Sequence, residues 1–247
     1  VFLGGGRAAL LQLAHPMVAY AVEQHSATRS DVVGRFQRTF RNVFAMVFGE
    51  LDAALFAARS VHQIHTRIQG TIPIDVGRWR AGTRYHANDA DTLRWVHATL
   101  TDTTIAVRER LEGALPLAIK DAYTIEMNRF ARLFGIPDAL LPASWAEHAD
   151  YMASMIPTLA VAPPAREMAT FLIGRASPAQ PALGRIAEAM TVELLPPRLA
   201  GEFGLARSRL TAVGVHAAIA TLGPMYRRLP AALVAIPARS AAHRRIA

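Results

Sequence analysis

Along almost the whole chain, apolar residues return at spacings of three and four, and the alternation that marks a half-buried strand is nearly absent. Leu10, Leu13, Ala14, Met17, Val18 and Ala21 form one such stripe. Pro16 lies inside it, so a kink is expected where the ring removes a backbone donor. A second stripe opens at Asp31 and carries Val33, Phe36, Phe40, Val43, Phe44 and Val47, with Gly49 as its stop. A third runs from Leu51 to Gln69, with Ala54, Ala58, Val61, His65 and Ile68 in register. Only 71–87, with Pro73, Gly77 and Gly82, breaks the pattern, as a loop with room for a short strand-like piece.

The pattern then resumes. Asn88 or Asp89 is placed to cap a helix that presents Leu93, Val96, His97, Leu100 and Thr104 on one face and ends near Gly113. Another helix follows Pro116 and closes at Gly135, and Ser144 caps a further one to Ile156. After a turn at 158–164, helices are expected near Ala165–Gly174, Pro181–Leu195 and Arg207–Tyr226, with a frayed tail over 230–247. The expectation is an all-α fold: a single domain over 1–247, built as a bundle of about eight helices. A hydrophobic content of 52% over 247 residues suffices for one substantial core.

The absence of cysteine removes disulfides, thiolate nucleophiles, iron–sulfur clusters and covalent haem attachment in one step. The net charge of +8 rests on arginine, since Lys120 is the only lysine. Because the arginines are scattered from Arg7 to Arg245 rather than gathered on one face, no nucleic-acid partner is expected. The same charge suits peripheral contact with a membrane by a cytoplasmic protein. No apolar run reaches the roughly 18–20 residues of a membrane span. The chain opens on Val1, so a removed targeting segment ahead of it is compatible with the sequence.

Several chemistries lack their motifs. There is no Gly-x-Ser-x-Gly elbow, no Gly-x-x-x-x-Gly-Lys loop, no Glu-x-x-His and no His-Glu-x-x-His. Gly4-Gly5-Gly6-Arg7 imitates a dinucleotide fingerprint, but helices follow it instead of a βαβ unit. Two readings stay open for it: a flexible lead into the first helix, or free amides that with Arg7 hold an anionic group. Of nine histidines, His25, His86, His148 and His243 fall near helix ends or polar faces, where exposure is the default. His15, His65, His97 and His216 fall on or beside apolar stripes, as buried structural residues or as ligands; His62 and His65 could share a metal, though no inward carboxylate accompanies them. In a chain without cysteine, haem suits these residue types: a neutral imidazole on a helix for iron, arginines and hydroxyls for propionates, and Leu, Val, Phe and Met to exclude water.

Four blocks in order carry a resemblance. They are Gly4-Gly5-Gly6-Arg7-Ala8-Ala9-Leu10-Leu11-Gln12-Leu13-Ala14-His15-Pro16, the Phe44–Gly49 segment, Ile64-His65-Thr66-Arg67-Ile68-Gln69-Gly70-Thr71, and Leu93-Arg94-Trp95-Val96-His97-Ala98-Thr99-Leu100. Phe130-Ala131-Arg132-Leu133-Phe134-Gly135-Ile136-Pro137, continuing to Trp145, adds a fifth. Together they resemble the family of rubber oxygenase (latex-clearing protein) and the MpaB-type oxygenases, over residues 1 to about 156. Each block alone is modest; their order and spacing make the set specific.

The resemblance implies a globin-like helical arrangement around non-covalent haem b, with iron as the metal. It implies a haem-dependent oxygenase that uses dioxygen and an unidentified electron donor on an apolar, isoprenoid or alkene-containing substrate, cleaving a C=C bond. In the rubber-oxygenase branch an Arg, a Thr four residues on and a downstream proximal His are essential, and these roles fall on Arg67, Thr71 and His97. Arg7, His15 and His65 are further cofactor-binding candidates. A rubber oxygenase carries a lysine just before that Thr, able to take the distal position; here Gly70 stands there, which leaves water, His15 or His65 for the distal side and puts rubber itself in doubt as substrate. The alternatives are a haem- or lipid-binding helical protein without turnover, and a cofactor-free helical partner protein in which His97 is simply buried.

Overall fold

The computed structural model describes residues 4–25, 41–173 and 181–205, together with 213, 214 and 217; of 181–185 it describes the backbone alone. In order come α1 (Gly5–Leu13), α2 (Pro16–His25), a helix α3 over 41–48, and α4 (Leu51–His65). A hairpin of β1 (Gln69–Thr71) and β2 (Arg84–His86) precedes α5 (Ala90–Glu112), α6 (Leu117–Leu133), α7 (Trp145–Met155), α8 (Pro163–Ile173), α9 (Pro181–Leu194) and α10 (Pro197–Glu202). The protein is all-α apart from this hairpin. The expected helix start at Asp31, most of the Arg207–Tyr226 helix, the tail over 230–247, His216 and His243 lie outside the described residues.

Where the sequence predicts one kinked helix, the chain makes two. Pro16 cannot donate to the turn before it, so the ladder of α1 closes early, with the His15 amide donating to the Gln12 carbonyl at 3.1 Å. The proline then serves as the first residue of α2, where a missing N–H costs nothing. The interruption frees the Ala14 carbonyl to accept from the Ala160 amide at 3.2 Å, which ties this corner to the segment before α8. The third helix also stops sooner than its stripe, at His65, because the following residues pair as a strand: Gln69 opposite His86, Gly70 opposite Tyr85, Thr71 opposite Arg84.

α5 is the axis of the fold. Asp89 caps it, its Oδ1 accepting from the Thr92 amide at 2.8 Å and the Thr92 hydroxyl at 2.7 Å, and Gly113 ends it at φ 92°, in the left-handed region that glycine tolerates. α1, α6 and α7 all pack on it. On the α1 side, Trp95 donates to the Leu11 carbonyl at 3.1 Å and Gln12 to the Thr99 hydroxyl at 3.0 Å. α4 approaches α5 and α6 less closely than α1 approaches α5, and it meets them through the side chains of Ala57, Ala58, Phe130 and Leu100.

The Gly4-Gly5-Gly6 run is neither a flexible lead nor a nucleotide loop. A Cβ on Gly4 would lie 2.6 Å from Thr103 Cγ2, and one on Gly6 would lie 2.5 Å from Thr191 Oγ1. The glycines let α1 sit directly against α5 and α9. Gly6→Ala is therefore expected to cost about 1–3 kcal/mol by overpacking. Adding Thr191→Ala removes the colliding atoms and should return part of that loss; denaturant midpoints of the two singles and the double measure the coupling.

Candidate functional site

On the side of α5 turned away from α1, His97 is buried, at 6% exposure, and its ring lies 6.3 Å from that of Phe130 on α6. Phe130 belongs to the apolar cluster that also holds Ala57, Ala58 and Met46, so the imidazole faces a dry region between α5, α6 and the stand-off α4. His97 Nδ1 is buried with no hydrogen-bond partner. Burial first, and the nearby His148 second, pull its pKa down to about 4, so the ring is neutral at physiological pH and keeps a lone pair. In native proteins a buried polar atom without a protein partner is completed by an ordered water, an ion or a ligand.

One turn before His97 on the same helix, Arg94 spreads its guanidinium over the Tyr151 ring of α7, 3.8 Å from the centroid. Its Nε is buried and has no partner. The stacking fixes a planar cation whose donors are unused, an arrangement suited to a carboxylate. Burial, more than any charge, raises the Tyr151 phenol to about 12, so it stays protonated.

Toward α7 and α1 the same helix carries Asp102. Its Oδ2 pairs with Arg7 at 2.7 Å, and Arg7 also donates to the Thr103 hydroxyl and the Leu194 carbonyl, each at 2.8 Å. Burial alone would raise the Asp102 carboxyl, but His148 and the Arg7 charge and hydrogen bond outweigh it and hold the group below its ordinary value. In this structure the Arg7 guanidinium is paired with the protein's own Asp102 carboxylate. His148 is fully buried, contrary to the exposure expected from its helix-end position. It stacks on Trp145 with centroids 5.0 Å apart, and its Nε2 lies 3.8 Å from Asp102 Oδ1.

The other candidates lie elsewhere around α5. His15 is buried at the α1–α2 corner, its ring edge-on to Trp79 at 5.0 Å, and burial lowers its pKa to about 4; its Nδ1 also lacks a partner. His65, half-buried at the end of α4, is lowered chiefly by burial, beside Asn88, His62 and His86. Arg67 and Thr71 are exposed at the hairpin by the N-terminus of α5, whereas His97 lies about 10 Å further along that helix. Beside the hairpin is a cavity of about 240 Å³ lined by Met17, Gln69, Arg84, Tyr85, His86 and Asp89. A lysine at position 70 has no space here: a Cβ would already meet the Tyr85 hydroxyl at 2.5 Å and Gln24 Oε1 at 2.6 Å.

Arg94, Asp102, Tyr151 and His148 escaped the sequence reading. A signal existed for two of them, an arginine three residues before His97 and an acid five after it, the only charged residues in the stretch 92–107 of the helix. Nothing local linked α7 to them. Among the described residues no group of three or more His, Asp or Glu is arranged to hold a metal ion.

No curated protein and no solved structure matches the chain. The profile of the family described as ER-bound oxygenase mpaB/B'/Rubber oxygenase, catalytic domain, matches residues 1–224. The chain thus belongs to the mpaB and rubber oxygenase catalytic-domain family and is an oxidoreductase of the oxygenase kind.

Proposed function

We propose that the protein is a haem b-dependent oxygenase that brings dioxygen to an apolar, alkene-containing substrate of isoprenoid type and cleaves its C=C bond, with electrons from a separate donor. The observation that carries the haem assignment is His97: a buried, neutral imidazole with an unpartnered nitrogen on the dry side of the central helix. A single histidine would suffice to hold iron that a macrocycle already carries, whereas a bare ion needs several protein ligands. Haem, when bound, supplies the dioxygen and electron-transfer chemistry that no side chain here offers.

The chain's own part is to hold, orient and keep dry. His97 would hold the iron. Arg94, rigid over Tyr151, would take a propionate, with Arg67 and Thr71 as the anchors that the family resemblance implies. His15 and His65 stand in reserve on the α1–α2 corner and the α4 end. Phe130, Leu100, Ala57 and Ala58 belong to the apolar cluster beside His97, which would keep water from the iron and suits an aliphatic substrate better than a charged one.

The test is colour. Purified full-length protein titrated with hemin should develop a Soret band at one equivalent, and the loaded, reduced protein should consume dioxygen in the presence of a polyisoprenoid alkene. His97→Ala should abolish the axial-ligand signature, and Arg94→Leu should weaken hemin binding about tenfold, in line with one lost charge-assisted contact. A wild-type protein that takes up no hemin would end the proposal.

A further inference from the structure

The register of the hairpin gathers hydrogen-bond donors on its outward face. The Ala87 amide donates to the Ile68 carbonyl and the Ile72 amide to the Thr83 carbonyl, each at 2.9 Å. Bonded positions alternate along an antiparallel ladder, so Gln69–His86 and Thr71–Arg84 are non-bonded pairs between them. In such pairs the Cα atoms stand about 4.5 Å apart and the two side chains leave the same face. Tyr85 turns to the opposite face and is buried. One face therefore presents the Gln69 amide, the Thr71 hydroxyl, the Arg84 guanidinium and the His86 imidazole as neighbours.

That face borders the cavity of about 240 Å³, which Gln69, Arg84 and His86 line together with Met17, Tyr85 and Asp89. The volume is below the roughly 300–1,000 Å³ of a pocket that encloses a whole ligand, so it fits a head group. The donors have capacity to spare. The Asn88 amide donates to His86 Nδ1 at 3.1 Å, which leaves the proton of the neutral ring on Nε2. Arg80 and Arg110 each meet a carboxylate at 2.9 Å, whereas Arg84 meets none among the described residues. Asp89, the acid on the cavity wall, turns Oδ1 to the first turn of α5, where it accepts from the Thr92 amide and hydroxyl.

We propose that Arg84, His86, Gln69 and Thr71 form an oxyanion subsite, which takes the carboxylate or phosphate end of an otherwise apolar ligand. A guanidinium fork beside neutral N–H and O–H donors matches an oxyanion, which accepts from several donors at once. Met17 and the Tyr85 side supply apolar surface for the first carbons of the stem. Asp89 repels the same anion and so limits its affinity. The subsite deepens the oxygenase reading and rests on it for its purpose: the acid end belongs to a haem propionate or to the apolar substrate.

The probes are octanoate and octyl phosphate, with octanol as the neutral control, titrated by calorimetry into hemin-free full-length protein at neutral pH. Wild type is compared with Arg84→Gln and Asp89→Asn. Both positions are exposed and asparagine keeps the helix cap, so denaturant midpoints should stay together. At least one of the anions should bind wild type, about tenfold more weakly to Arg84→Gln and about threefold more tightly to Asp89→Asn, with octanol indifferent to both changes. Hemin and hemin dimethyl ester, which lacks the free acids, then separate the sources. A loss in Arg84→Gln for hemin and not for the ester assigns the subsite to a propionate; a loss for the octyl anions alone assigns it to the substrate. Arg84→Gln that binds the anions and hemin as wild type does would overturn the proposal, and so would an Asp89→Asn protein that binds the anions more weakly. Wild type that takes up no hemin would instead end the function proposed above, while the anion titrations would still decide this one.

Discussion

Asp102→Ala is expected to destabilise the fold by about 3–5 kcal/mol, the cost of leaving one partner of a buried ion pair unpaired. Arg7 is 6% exposed, so little water can replace the lost carboxylate. The Thr103 hydroxyl and Leu194 carbonyl would remain as acceptors, but neither carries charge. Against a typical domain stability of about 5–15 kcal/mol, this is about a fifth or more of the total. The paired replacement Arg7→Met with Asp102→Leu should cost less than Asp102→Ala alone, because it removes both charges together. Urea unfolding at neutral pH measures each; a single-variant loss below about 1 kcal/mol would mean that water already reaches the pair.

The second large effect is in pH. His15 and His97 both have folded-state pKa values lowered from 6.5 to about 4, in each case mainly by burial. Well above pH 6.5 neither ring is protonated in the folded or the unfolded chain, so neither costs stability. As pH falls from 6.5 towards 4, the unfolded chain binds protons that the folded chain refuses, and stability drops. Below about 4 the penalty is complete, at roughly 3 kcal/mol for each ring. The depressed Asp102 carboxyl acts in the same direction, its contribution present above its unfolded value and lost as pH falls through its folded one. Denaturant midpoints of the hemin-free protein between pH 7.5 and 4.5 should therefore fall steeply, with an uptake of about two protons on unfolding in the middle of this range. His15→Gln should remove about half of that slope. A flat profile over the range would show that both rings take up protons in the folded state.

Three-and-four periodicity, capping residues and terminal glycines were enough to specify the helices, because these depend on neighbours within a turn or two. Asp89 and Ser144 cap where expected, and Gly113 and Gly135 adopt the positive φ that ends α5 and α6. The α4 stripe misled beyond His65 because the pairing of Gly70 with Tyr85 is a contact between residues far apart in the chain, and it overrides local helical preference. Pro16 was read correctly as a disturbance and incompletely as a helix start, since the Ala14–Ala160 bond that stabilises the corner lies well over a hundred residues apart.

The same division holds for the site. His97 could be singled out because a histidine on an apolar stripe of a long helix is a local pattern, and Arg67 and Thr71 because they stand in a short block with a family likeness; the structure buries the first and leaves the other two exposed. Arg94 over Tyr151, and Asp102 between Arg7 and His148, were not, because each depends on which face of α5 meets α1 and which meets α7. By itself the sequence determined a helical chain with a histidine on the apolar stripe of a long helix, and ruled out thiolate chemistry. Tertiary structure alone decided which charges are buried together, because the energy of a buried charge depends on a few ångströms of separation between helices that the chain order leaves unspecified.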